Sequence, residues 1–227
     1  MTNYFARVSE RTLLATTFHY LHLELVKPDL IDFNAGQYIS LLIDKSTGLR
    51  RSYSIASPPS LNHAIELLIN IAPGGPGSKY IENLKPGDTV EFLGPIGNLA
   101  VPPLTINYSP LTELLFVATG CGIAPVRSMI LDQLIQLHNP HLIRLWWGMR
   151  HEEDCFWEED FDLLEKEHPN FKWDLILSKP PEDWPLHTGH VTEHIINYVK
   201  NPHSEFGIQN SEFYICSNQK AVNEIST

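Results

Sequence analysis

Sulfur is scarce in this sequence: its three cysteines, Cys121, Cys155 and Cys216, stand far apart and none belongs to a CxxC pair. An odd, scattered set predicts neither a disulfide framework nor a zinc site, and a reducing compartment, the cytoplasm, is the expected setting. No run approaches the roughly 18 apolar residues of a membrane span. The opening Met1 to Arg7 has no basic stretch ahead of an apolar core, so no secretory leader is expected. Positive charge is also thin, with 16 Lys and Arg against 27 Asp and Glu and a formal charge of −11. That balance opposes the counterion release that drives nucleic-acid binding, so DNA and RNA are poor candidates as partners. A GxSxG elbow is missing, which disfavours an α/β hydrolase, and so is the four-cysteine cluster of an iron–sulfur module.

What remains is the composition of a folded chain, 227 residues with 43% hydrophobic and 19% charged, long enough for two domains. Alternating apolar and polar residues predict strands at Phe18 to Leu25, Tyr38 to Ile43, Ser52 to Ala56, Ile65 to Ile71 and Thr89 to Leu93. Turn signals such as Asn34-Ala35-Gly36 and Lys85-Pro86-Gly87-Asp88 separate them, as in a small antiparallel barrel with one short helix at Ser78 to Leu84. From Gly97 to Pro110 the pattern breaks around Pro102, Pro103 and Pro110, a predicted linker. Beyond it strands at Glu113 to Ala118, Leu142 to Gly148, Lys172 to Leu177 and Glu212 to Cys216 alternate with helices at Ala124 to His138, Glu158 to His168 and Val191 to Lys200. This order predicts a doubly wound parallel sheet. The expected domains are 1–103 and 104–227.

Arg51-Ser52-Tyr53-Ser54 places a fixed cation, two hydroxyls and a planar ring on one strand end. A guanidinium suits a diphosphate, and the alternation of a strand puts Arg51 and Tyr53 on one side. Gly74-Gly75-Pro76-Gly77-Ser78 precedes the lone helix, and a helix start stripped of side chains presents backbone N–H groups to phosphate. A plainer alternative is a glycine-rich turn with Ser78 as N-cap. In the second half Gly120-Cys121-Gly122 falls between a buried strand and a helix, where a nucleotide-binding turn belongs, with Thr119 before it and Pro125 in the first helical turn. Ser178, Lys179 and Cys216 follow later strands, at the carboxyl ends where open parallel sheets bind ligands.

Together these segments resemble the ferredoxin-NADP reductase family over almost the whole chain. Arg51 to Ser54 looks like its flavin motif, Gly77-Ser78 like its flavin-pyrophosphate turn, and Gly94-Pro95-Ile96-Gly97 like the end of its barrel domain. Gly120 to Pro125 looks like its nicotinamide loop, and Gly148-Met149-Arg150 like its Gly-x-Arg strand end. The resemblance implies an N-terminal antiparallel Greek-key β-barrel binding prosthetic FAD and a C-terminal α/β domain binding NADH or NADPH. It implies that hydride passes from nicotinamide to FAD and electrons then pass to an unidentified acceptor, such as a separate iron–sulfur protein or an oxygenase component. By the same carry-over Arg51, Ser52, Gly75, Gly77 and Ser78 hold the flavin nucleotide, Tyr53 packs on the isoalloxazine and Ser54 bonds near its N5. Thr119, Gly120, Gly122, Pro125, Arg150, Ser178 and Lys179 serve the dinucleotide, and Cys216 lies near the nicotinamide C4.

Two departures are visible. The family's Cys-Gly-x-x-x-Met reads Cys216-Ser217-Asn218-Gln219-Lys220-Ala221 here, which is expected to narrow the backbone's approach to nicotinamide, and the sequence stops at Thr227 where relatives generally continue. Two alternatives therefore stay open: a reductase that takes free flavin as a diffusible substrate, and a non-catalytic flavin-binding subunit.

Overall fold

A computed structural model describes residues 1–102, 113–200 and 211–217. The chain divides into two compact units, Met1–Val101 with Arg127–Gln136, and Pro102–Val126 with Leu137–Thr227. Pro103 and Pro110 of the predicted linker, and Asn218 onward, lie outside the described residues.

The first unit is built on six antiparallel strands: β1 (Thr2–Ala15), β2 (Phe18–Lys27), β3 (Tyr38–Asp44), β4 (Leu49–Ser54), β5 (Ala64–Asn70) and β6 (Thr89–Ile96). Their spatial order is β4-β3-β6-β1-β2-β5. The two outer strands meet, because Ile55 just beyond β4 bridges Leu67 of β5 and the Ala56 N–H donates to the Glu66 carbonyl at 2.8 Å. The sheet thus closes into a barrel, as the alternating pattern predicts. One face of each strand fills the inside, where Leu21, Leu23, Ile39, Leu41, Ile55, Ile65, Leu67 and Phe92 are fully buried. Strand β1 is absent from the sequence reading, although it is the longest, with Tyr4, Ala6 and Val8 turned inward. Helix α1 (Pro76–Asn83) begins two residues before its predicted start, because Pro76 takes the first helical position.

The segment Arg127–Gln136 is fastened to this unit by buried polar bonds. Arg127 donates to the Glu66 carboxylate at 2.7 Å and to the Ala56 carbonyl at 3.0 Å. The buried Ser128 hydroxyl donates to the Ser57 carbonyl at 2.6 Å, while the Ser57 hydroxyl accepts from the Glu66 N–H at 3.1 Å. Each group removed from water here has found a partner, which is what makes such a network tolerable in an interior.

The second unit carries a wholly parallel sheet of β7 (Glu113–Thr119), β8 (Leu142–Met149), β9 (Phe171–Leu177), β10 (His187–Thr188) and β11 (Ser211–Cys216), in the order β10-β9-β8-β7-β11. A 3-10 turn, Gly120–Gly122, leads into α2 (Ile123–Leu131), and a π-helical turn at Asp132–Gln136 replaces the last part of the predicted helix. Helices α3 (Glu158–Glu167) and α4 (Val191–Lys200) stand where the periodicity puts them. Neighbouring residues of β8 show that the faces are covered separately. Trp147 meets Phe161 of α3 with ring centroids 6.0 Å apart, whereas Trp146 meets Tyr198 of α4 at 5.0 Å. Helices on both faces of a parallel sheet make the unit doubly wound.

Trp147 is fully buried and also packs edge-on against Phe156 at 5.0 Å. Replacing it with alanine is expected to cost about 3–5 kcal/mol through lost transfer energy and the cavity left behind. Chemical denaturation of Trp147→Ala, followed by circular dichroism, measures this directly.

Candidate functional site

In the first unit the sequence motifs come together at α1. This helix starts after Gly75 without a side-chain cap, with Pro76 at its first position and no acidic residue in its first turn. Its leading N–H groups are therefore left to solvent or to an anion. Gly77, in that first turn, is buried against β4. A Cβ there would sit 2.7 Å from the Tyr53 hydroxyl oxygen and 3.2 Å from Cγ of Arg51, so only glycine lets the helix start lie this close. Ser78 is buried within the same turn and is not the N-cap, which is Gly75. Arg51 itself is exposed, and its guanidinium donates to the carbonyl of Arg50 at 2.8 Å. Tyr53 is half-buried, and burial pushes its phenol above its ordinary pKa against the opposing pull of Arg51. Ser52 and Ser54 point the other way along β4, opposite Ser40 and Tyr38 of β3, with Ser52 exposed and Ser54 half-buried.

In the second unit the candidates gather at the carboxyl ends of the parallel strands. Gly120–Gly122 turns off the end of β7, and a Cβ on Gly122 would collide with the carbonyl oxygen of Cys216 at the end of β11. The backbone of this turn is thus laid directly on the neighbouring strand end. Thr119 and Ser217 face each other across the same two strands, their hydroxyl oxygens 2.7 Å apart. Serine 217 stands out in the sequence only as a departure; its partner is a finding of the structure. Pro125 is buried in α2. Arg150, Ser178 and Lys179 form a second group, since the Ser178 N–H donates to the Met149 carbonyl at 3.0 Å and the Lys179 N–H to the Arg150 carbonyl at 2.9 Å. Arg150 and Lys179 are both exposed there. Burial raises the pKa of the Cys216 thiol, so it is held in its neutral form at ordinary pH. A groove of about 500 Å³ between α4 and mid-strand residues Arg144, Trp146 and Asp174 belongs to a different part of this unit, away from the strand ends.

Comparison with known proteins supplies the deciding observation. A family model described as an oxidoreductase FAD-binding domain matches residues 5–101, and one described as an oxidoreductase NAD-binding domain matches residues 116–225. The chain belongs to the ferredoxin-NADP reductase family.

Among the relatives of this family member are the Na(+)-translocating NADH-quinone reductase subunits F of Actinobacillus succinogenes and Yersinia enterocolitica. The first is 37% identical over 196 residues, 81% of this chain and 45% of its own length. The second is 36% identical over 205 residues, 85% of this chain and 47% of its own. The chain thus spans less than half the length of these relatives. Its fold matches the Amycolatopsis cytochrome P450 reductase GcoB with a TM-score of 0.85 at 24% identity, covering 99% of this chain and 66% of that one. A ferredoxin NADP+ reductase from Neisseria gonorrhoeae with bound FAD and NADP superposes with a TM-score of 0.80 at 20% identity, over 99% and 88% of the two chains.

Family membership makes FAD and a nicotinamide dinucleotide the cofactors of this oxidoreductase. The residues present fit both groups. Gly77 opens a cradle beside an uncapped helix start and an exposed guanidinium, the donor set a diphosphate requires. Gly122 likewise gives the turn after β7 a bare backbone. No group of three or more metal-ligating side chains occurs among the described residues. No helix among them is long and apolar enough to cross a membrane.

Substituting Gly77→Ala is expected to push Tyr53 and Arg51 aside and to lower the FAD-to-protein ratio after purification, with the barrel still folded. Adding Tyr53→Phe, which removes the oxygen nearest the new methyl group, is expected to recover part of the loss. Flavin absorbance against protein concentration reads both outcomes.

Proposed function

We propose that this chain is the FAD-dependent NAD(P)H reductase module of an electron-transfer system, with an FAD-binding domain over 1–103 and a dinucleotide-binding domain over 104–227. Bound FAD supplies the capacity to take a hydride from the nicotinamide and to release electrons one at a time. The protein's own residues bind and orient. Arg51 and Ser52, with the N–H groups following Gly75, hold the flavin diphosphate through Gly77 and Ser78. Tyr53 offers its ring face to the isoalloxazine, and Ser54 offers a hydroxyl to its N5 edge. On the other unit Thr119, Gly120, Gly122 and Pro125 shape the dinucleotide turn, Arg150, Ser178 and Lys179 contact its ribose-phosphate end, and Cys216 lies beside the nicotinamide.

The observation that carries this reading is the closeness of Gly77 to Arg51 and Tyr53, which brings two segments far apart in the sequence together beside an uncapped helix start. The relatives favour NADH as reductant, since the matched subunits are named for NADH and for quinone reduction. The acceptor on this reading is a separate protein or a further domain carrying a one-electron centre.

Anaerobic mixing of the flavin-loaded protein with NADH and, separately, NADPH is expected to bleach the flavin band faster with NADH. A flavin spectrum unchanged by either dinucleotide refutes the reductase reading. Arg51→Ala is expected to weaken FAD binding by about 1.5–3 kcal/mol, the worth of a charge-assisted phosphate contact. Its readout is flavin release on dilution. Colourless protein that reduces added riboflavin or FMN would instead identify free flavin as the substrate.

A further inference from the structure

Arg127 and Ser128 of α2 fall inside the residues matched by the NAD-binding family model, 116–225, yet they pack with the barrel unit. Their side chains reach the stretch that follows the flavin motif. Strand β4 ends at Ser54, Ile55 bridges Leu67, and the Ala56 N–H donates to the Glu66 carbonyl. Ala56 and Ser57 are fully buried, so their own carbonyls need partners away from water. Helix α2 supplies both: Arg127 donates to the Ala56 carbonyl at 3.0 Å, and the Ser128 hydroxyl to the Ser57 carbonyl at 2.6 Å. Glu66 ties these bonds into one cluster, its carboxylate accepting from Arg127 at 2.7 Å and its N–H donating to the Ser57 hydroxyl at 3.1 Å. Met129, the next residue of α2, is also fully buried, its Sδ 3.2 Å from where a Cβ on Gly36 would stand. Gly36 precedes Gln37, whose carbonyl accepts from the Ile55 N–H at 3.0 Å.

We propose that Arg127 and Ser128 are positioning residues for the flavin: by holding the carbonyls of Ala56 and Ser57 they fix the end of β4 and aim the Ser54 hydroxyl at FAD. This rests on the FAD-binding role proposed above. Ile55, Ala56 and Ser57 form one buried run whose backbone is paired on several sides, and Ser54 is the half-buried residue that enters it. A buried carbonyl left without a donor costs more than a small displacement of the strand, so the run moves until water or another donor reaches it. Ser54, three residues before Ser57, moves with it. The dinucleotide half of the chain thus lends two side chains to the flavin site without either of them touching the flavin.

Dilution of the flavin-loaded protein, with released FAD read by its fluorescence, tests this. Ser128→Ala is expected to raise the FAD Kd roughly 3- to 10-fold, the worth of one neutral hydrogen bond, and to change the shape of the visible flavin band. Ser54→Ala raises the Kd as well. The double variant Ser54→Ala/Ser128→Ala holds FAD no more weakly than Ser54→Ala, because Ser128 acts through that hydroxyl. Arg127→Met gives the same loss by a second route, and Arg127→Lys, which keeps a cation beside Glu66, regains part of it. A purely structural clasp predicts a lower thermal midpoint with an unchanged FAD Kd and flavin band well below that midpoint. Native FAD affinity in folded Ser128→Ala or Arg127→Met overturns the proposal, and so does a double variant in which the two losses multiply; the FAD-binding reading survives either result. Native protein with no measurable FAD affinity overturns both.

Discussion

Backbone N–H groups at a helix start are available to an anion only while no side chain occupies them, and the start of α1 meets that condition. At α1 the cap is glycine and the first helical residue is proline, so nothing local reaches the leading amides. At the turn after β7 the cap is threonine, whose hydroxyl oxygen lies 2.7 Å from that of Ser217. In each case a glycine a little further on lets the helix start lie against a strand end, Gly77 on β4 and Gly122 on β11. A methyl group at either place would separate the donors from the strand that frames them. Exposed cations accompany both, Arg51 on the first unit and Arg150 with Lys179 on the second.

The two halves differ in how they are stabilised. The barrel has one interior, filled by alternate residues of six strands, and gains its closure from a bridge and a backbone bond between its outermost strands. The parallel sheet has two covered faces, and its central strands read as nearly unbroken apolar runs such as Leu114 to Ala118. Buried polar groups occur where a helix is pinned rather than at random. Glu113, almost wholly buried at the start of β7, accepts from the Tyr198 hydroxyl of α4 at 2.6 Å, and Arg127 reaches Glu66 and Ala56.

Much of this was legible beforehand. Strands and helices of the second unit fall close to their predicted bounds because long apolar runs alternate with amphipathic ones, a signal that survives without tertiary information. Strand β1 was missed for a physical reason. Its buried side includes the small Ala6, its outward side carries Arg7 and Glu10, and its length is set by pairing with both β2 and β6 rather than by its own residues. The helix starts at Pro76, ahead of its expected position, because glycine and proline carry a turn signal in sequence although proline fits a first helical position. The motif residues could be named from type and order alone. That Gly77 touches Tyr53 and Arg51, or that Ser217 meets Thr119, could not, since each contact joins segments brought together only by the fold.

Closure of the barrel also limits how another protein can recognise it. Where Ile55 and Ala56 meet Leu67 and Glu66 the backbone groups of the seam are paired, so an extended segment cannot add a strand there. The parallel sheet keeps two outer strands, β10 of only two residues and β11 of six. A protein that met the barrel at this seam would therefore meet side chains and loops, and surface shape and charge would set its specificity instead of a backbone ladder.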